Sequence, residues 1–242
     1  MPTSPTIVLV HGAWADASSW TPVIQRLHAA GHDVVALPNT LRGPKADAAI
    51  IRNYLDSIDG PVVLVAHSYG GFVITNAAAG AENVKALVYV DAFIPDEGEV
   101  VFQILGGSGS ALDVPDPTQV LDLVGYPGAP EGDVEAFLKP ATVHDSFAQD
   151  LPEADRSLIV AGQRPITLSA NTTPSGASGW TSLPSWAVVG TEDRVIPPGA
   201  QRSMAERAGA TISEVAASHV SMVSRPQAAI DAVLAAAAAV GD

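Results

Sequence analysis

The chain has 242 residues, 47% hydrophobic and only 16% charged, which suits one α/β domain, alone or with an inserted lid. A net charge of −14 with no basic cluster argues against nucleic acid and anionic membrane surfaces as partners, and acidic substrates are repelled at long range. The absence of cysteine removes disulfides, thiolate nucleophiles and Cys-based metal sites.

Met1 to Thr6 carries neither a basic nor an apolar leader pattern, so no signal peptide and a cytoplasmic location are expected. Residues 7–10 read as a buried strand that runs into His11-Gly12-Ala13-Trp14. A helix is expected from near Ser19 or Trp20 to Gly31, with Pro22 in its first turn and Val23, Ile24 and Leu27 apolar. Residues 34–37 form the next strand. A helix over about 45–58 places Ile50, Ile51, Leu55 and Ile58 on one face. Residues 62–66 are a short, β-branched, uninterrupted apolar run, the signature of a central strand buried on both faces. Another such run, 86–90, ends at Asp91. Strands alternating with helices at this spacing predict a parallel sheet with helices on both faces.

The rhythm breaks over residues 95–183. Several prolines, the Gly106–Ser110 glycine-serine segment and short helical patterns at 118–124, 132–138 and 153–161 predict an inserted helical lid with a flexible edge. The core is then 1–94 and 184–242. The apolar run 186–190 resumes the sheet and leads into Thr191-Glu192-Asp193, with Pro197-Pro198 beyond. A helix follows to about 208, then a strand over 210–215. Ala217-Ser218-His219 comes next, and a last helix runs from about Pro226 to Val240. That final apolar stretch is too short and alanine-rich to span a bilayer.

The chemistry centres on Ala66-His67-Ser68-Tyr69-Gly70, which joins the central strand to a helical pattern. Strand, sharp turn with serine at its apex, then helix is a nucleophile elbow, here with alanine in place of the usual first glycine. The Ala-His-Ser-x-Gly form resembles the elbow of some bacterial lipases. A serine hydroxyl needs a base within reach, and the base needs an orienting carboxylate. Ser68, Asp193 and His219 fall at three strand ends, in the chain order nucleophile, acid, histidine. Asp91 also ends a strand and is the alternative acid. It otherwise serves as a lid anchor or, with Trp14 and Phe93, as a wall of the substrate pocket. The backbone N–H groups of Tyr69 and Ala13 are the expected oxyanion donors. His11 is read as pinning the loop after the first strand, and His67 as packed behind the serine. No His-Glu-x-x-His spacing or dinucleotide fingerprint occurs, so neither metal nor cofactor is expected. An ordinary imidazole as base implies activity that falls below about pH 6–7.

Taken together these motifs resemble the α/β-hydrolases, in particular the small esterase group that includes plant methyl-ester esterases and hydroxynitrile lyases. The likeness covers roughly residues 6–93 and 184–240: Val10-His11-Gly12-Ala13 with Trp20, Gly31-His32-Asp33-Val34, the elbow, Gly190-Thr191-Glu192-Asp193 and His219 before the Pro226 helix. It implies cofactor-free hydrolysis of a small, fairly apolar ester through an acyl-enzyme. Val220 follows His219 where the hydroxynitrile lyases carry a lysine, which weighs against cyanide chemistry. A perhydrolase, a cofactor-free oxygenase or a small-molecule receptor on the same fold stay open. Oligomeric state is not readable.

Overall fold

The computed structural model describes residues 4–241. The leader-free reading of Met1 to Thr6 therefore falls partly on residues outside that range. In chain order the first half comprises β1 (Thr6–Val10), α1 (Thr21–Ala29), β2 (Val34–Leu37), α2 (Pro44–Leu55), β3 (Val62–His67), α3 (Gly70–Ala78) and β4 (Val84–Val90). Between β4 and the next strand of the main sheet lie α4 (Val101–Leu105), β5 (Leu121–Val124), β6 (Glu135–Leu138), α5 (Pro140–Thr142), α6 (Glu153–Gly162) and β7 (Ile166–Thr167). The chain closes with β8 (Ser185–Gly190), α7 (Pro198–Arg207), β9 (Thr211–Val215), α8 (Ser221–Ser224) and α9 (Pro226–Gly241).

The six core strands form one parallel sheet in the order β2-β1-β3-β4-β8-β9. Its burial follows from that order. β3 is central and buried along its whole length, whereas the edge strands β2 and β9 are half-buried or exposed along most of theirs. Helices α1 and α9 pack together, as do α2 and α3, so the sheet is covered rather than left as open edges of apolar side chains. On α2 the buried stripe is Ala48, Ile51 and Leu55, spaced three and four apart, while Ile50 is 48% exposed. Ile50 was expected on the buried face, but it lies one residue, about 100° of helical turn, away from Ile51. Ile58 lies beyond the helix, which ends at Leu55.

The segment over the strand ends is not all helix. Of its three expected helical patterns only the last forms one, as α6. Residues 121–124 and 135–138 pair as antiparallel strands, and β7 adds to them as a third. Val134, Phe137 and Leu138 fit helical spacing, yet Ala136 and Leu138 equally fit a two-residue alternation, and both are buried. A run this short is ambiguous from its period alone, and cross-strand pairing decides it. The Gly106–Ser110 segment is likewise held rather than loose. Ser110 Oγ donates to the Val195 carbonyl at 2.7 Å, and Ala111 N–H donates to the Arg194 carbonyl at 2.8 Å. Among the described residues no helix is long and apolar enough to cross a membrane.

Candidate active site

The turn after β3 is built from close approaches that only small residues permit. Ser68 has φ 54°, a left-handed backbone that costs about 1–3 kcal/mol for a residue other than glycine and persists only where its surroundings impose it. Those surroundings are visible. A Cβ on Gly71 would lie 1.9 Å from the Phe93 carbonyl oxygen, and one on Gly12 would lie 2.6 Å from Ser68 Cβ. A Cβ on Gly70 would lie 2.8 Å from the Val10 carbonyl oxygen and 3.3 Å from the Ala66 methyl. The bare α-carbon of Gly70 thus leaves room for Ala66 in the place of the usual glycine.

Three side chains from three strand ends meet here. Ser68 Oγ and His219 Nε2 are 2.8 Å apart, and His219 Nδ1 and Asp193 Oδ2 are 2.7 Å apart. With the serine hydroxyl donating to Nε2, the imidazole proton sits on Nδ1 and points at the carboxylate. Asp193 is fully enclosed by donors. Its Oδ1 accepts the N–H groups of Val195 (2.8 Å) and Ile196 (2.9 Å), and its Oδ2 also accepts Gln201 Nε2–H (2.7 Å). Burial pushes the Asp193 carboxyl up from the ordinary carboxylate range, and the donors oppose that shift. Burial pushes His219 down, to about 3, so its ring stays neutral and able to accept a proton well below the ordinary imidazole range. The shift is downward from the ordinary imidazole range of the sequence expectation. Glu192, adjacent in sequence, is exposed and takes no part.

Two other histidines brace this arrangement. His67 Nε2–H donates to the His219 carbonyl at 2.7 Å, and the two rings lie 4.8 Å apart. Burial, then the neighbouring His219, hold His67 well below its usual range, which disfavours a second imidazolium beside the His219 ring. His11 accepts the Asn39 N–H on Nε2 at 2.9 Å and donates from Nδ1 to the Gly12 carbonyl at 2.8 Å. It pins the loop after β1, as its position implied. Ala13 and Tyr69 both border the cavity beside Ser68, and among the described residues neither backbone N–H donates to another protein group.

Phe93 and Trp14 line the same cavity, but Asp91 does not. The placement of Asp91 in the substrate pocket is therefore corrected. At φ 45° its side chain turns beneath the histidine loop, where Oδ2 accepts the Ser221 N–H at 2.8 Å and Oδ1 has no hydrogen-bond partner among the described residues. A Cβ on Gly190 would come within 2.8 Å of that oxygen, so glycine at the end of β8 makes room for this carboxyl. Burial, and secondarily the charge of Asp193, raise the Asp91 carboxyl well above the ordinary carboxylate range.

Two features had no signal in the sequence. Tyr69 Oη donates to Asp47 Oδ2 at 2.8 Å. That carboxylate also accepts Thr40 Oγ1–H and the Arg42 and Gly43 N–H groups, locking the residue after the serine to the start of α2. Trp14, at φ 58°, donates from its N–H to the Arg164 carbonyl and from Nε1–H to the Ala136 carbonyl in β6, both at 2.9 Å. It ties the loop after β1 to the small sheet. The cavity at Ser68 is apolar, bordered by Phe93, Val101, Leu105 and Ile166 with Asn171 as its one amide, and is small, about 40 Å³. A larger groove of about 530 Å³, with Trp14, Phe147 and Val220 among its walls, adjoins this cavity at Trp14; Ser68 is not one of its walls.

A parallel sheet carrying an elbow serine, a histidine and a carboxylate at its strand ends defines the α/β-hydrolase class. Residues 7–232 match the Alpha/beta hydrolase family, and the chain belongs to it. It is 30% identical over 248 residues to Methylesterase 7 of Arabidopsis thaliana, a match covering 91% of each chain. Over 111 residues it is 37% identical to the carbendazim hydrolyzing esterase of Nocardioides sp. (strain SG-4G), covering 40% of this chain and 46% of that one. The crystal structure of polyneuridine aldehyde esterase superposes with a TM-score of 0.80 at 22% identity, over 96% of this chain and 99% of that one, a likeness of fold.

Proposed function

We propose that the protein is a serine hydrolase of neutral carboxylic esters, with Ser68 as nucleophile, His219 as general base and Asp193 as the acid that orients it. The observation that carries this reading is the unbroken hydrogen-bonded line from Ser68 Oγ through the His219 ring to Asp193 Oδ2. Relatives named as esterases support it. Ser68 Oγ attacks the ester carbon while its proton passes to His219 Nε2. The tetrahedral oxyanion is received by the N–H groups of Ala13 and Tyr69, at the start of α3, where the helix dipole favours negative charge. As the carbon–oxygen bond to the alcohol breaks, the imidazolium returns its proton to the leaving oxygen. Water then attacks the acyl-enzyme, again giving its proton to Nε2, and the acid and free serine are restored. No step requires a cofactor. In this reading residues 95–183 act as the lid over a core of 1–94 and 184–242, and supply most of the apolar pocket.

The charge preference follows from that lining. No ionised side chain borders the cavity at Ser68, so a charged group entering it would lose hydration without a partner. In a panel of methyl and p-nitrophenyl esters, neutral substrates are expected to be cleaved and carboxylate-bearing ones to lag. Faster turnover of a dicarboxylate monoester than of its neutral diester would count against the reading.

The acid limb of the pH profile is expected below the ordinary imidazole range. Protonating His219 would bury an imidazolium, so its affinity for the proton falls and the base form persists to lower pH. kcat/KM should stay level as the pH is lowered through about 6.5 and decline only toward the low value that burial sets. A midpoint between about 6 and 7 in the folded enzyme would show that the working imidazole is not desolvated as described.

A further inference from the structure

We propose that the groove beyond Trp14 and Phe147 binds the alcohol half of the ester, leaving the enclosed cavity at Ser68 to the acyl half. The assignment rests on the hydrolase reading above. In that reaction His219 returns its proton to the leaving oxygen, so the alcohol must lie on the histidine's side of the scissile carbon. The groove is on that side. Phe147 meets the His219 ring edge-on at 5.2 Å, Val220 follows His219 directly, and both are groove walls. The candidate oxyanion residues Ala13 and Tyr69 border the other space with Ser68. Trp14 is a wall of both, so the two spaces adjoin at its ring, which meets Phe147 edge-on at 6.1 Å.

Size and polarity agree. Pockets that take drug-sized ligands measure about 300–1,000 Å³. The groove, at about 530 Å³, lies in that range, and the cavity at Ser68, at about 40 Å³, lies far below it. Leu151, Leu158 and Ile159 give the groove an apolar wall, and its ionisable groups are the acids Asp16 and Asp155. The alcohol it fits is bulky, apolar and not anionic.

Gly162 offers a direct test. It borders the groove at the end of α6, its φ lies outside the left-handed region, and a Cβ there meets nothing within 4 Å. Gly162→Phe should fold, since a larger residue also favours the helix, and should narrow the groove at that border. Two ester series separate the halves: acetates of methanol and benzyl alcohol, and methyl esters of acetic and phenylacetic acids. The kcat/KM ratio of benzyl acetate to methyl acetate is expected to fall about tenfold or more, while the methyl phenylacetate ratio holds within about twofold. Leu158→Lys, at a position 70% exposed, should move the same ratio the same way without touching the core. If the acyl series moves instead, or neither ratio moves in either variant, the groove does not hold the alcohol. Ser68→Ala run on the same esters distinguishes the failures. Turnover that depends on Ser68 with unmoved ratios overturns the groove assignment alone, and turnover that survives in Ser68→Ala overturns the hydrolase reading and the groove with it.

Discussion

Ser68→Ala is expected to lower kcat for any cleaved ester by about four to six decades, and His219→Ala by a similar amount, because members of such a unit lose nearly the whole effect singly. The geometry explains the size. Oγ is the one nucleophilic atom in hydrogen-bond contact with His219 Nε2, at 2.8 Å, and alanine leaves the base with nothing to deprotonate. Alanine retains a Cβ, so the left-handed turn at φ 54° and its packing against Gly12 keep their shape. Stability should therefore change little, and the loss will be chemical. The double variant should be scarcely worse than either single one. A fluorophosphonate should label the wild-type protein at Ser68 and leave Ser68→Ala unlabelled. Retention of most ester turnover in Ser68→Ala, or a label found at another serine, would remove Ser68 from the role.

Asp193→Asn should cost about four decades in kcat by favouring the wrong imidazole tautomer. Every group around the two Asp193 oxygens is a donor: the N–H groups of Val195 and Ile196, Gln201 Nε2–H and His219 Nδ1–H. An amide placed there must turn its own NH₂ toward one pair of them. Turned toward His219 and Gln201, it asks Nδ1 to be an acceptor, which puts the ring proton on Nε2 and blocks the serine. Asp91→Asn is expected to stay within about tenfold of wild type. Burial raises the Asp91 carboxyl, the bond it receives is the Ser221 N–H, and an asparagine oxygen accepts that bond equally well. Both variants should be checked for folding by the cooperativity of their thermal unfolding. Should Asp91→Asn lose about four decades while Asp193→Asn stays within tenfold, the orienting acid belongs at the end of β4 and Asp193 is structural.

The sheet and the placement of its chemistry were legible in the sequence, because they depend on short-range patterns. An apolar run such as Val62–Ala66 can be satisfied only by burial on both faces, and it ends in His67 and Ser68 whatever lies elsewhere. That Ser68, Asp193 and His219, after β3, β8 and β9, lie along one edge then follows from parallel strands sharing their carboxyl ends. What pairs with what across the chain was beyond such patterns. Residues 121–124 and 135–138 carry spacing that suits a helix, and their pairing with each other made them strands. Two carboxylates end strands, and the sequence favoured Asp193 with Asp91 as the alternative. Only the folded loop surrounds Asp193 with donors and turns Asp91 beneath Ser221. Trp14 reaches a carbonyl 122 residues away, and Asp47 reaches Tyr69 from another helix. The meeting of two cavities at Trp14, and the burial that lowers His219 below the ordinary imidazole range, arise from the same long-range packing. A residue's period reports which side of its own element is apolar, whereas its partners and its dielectric surroundings exist only once distant elements have closed around it.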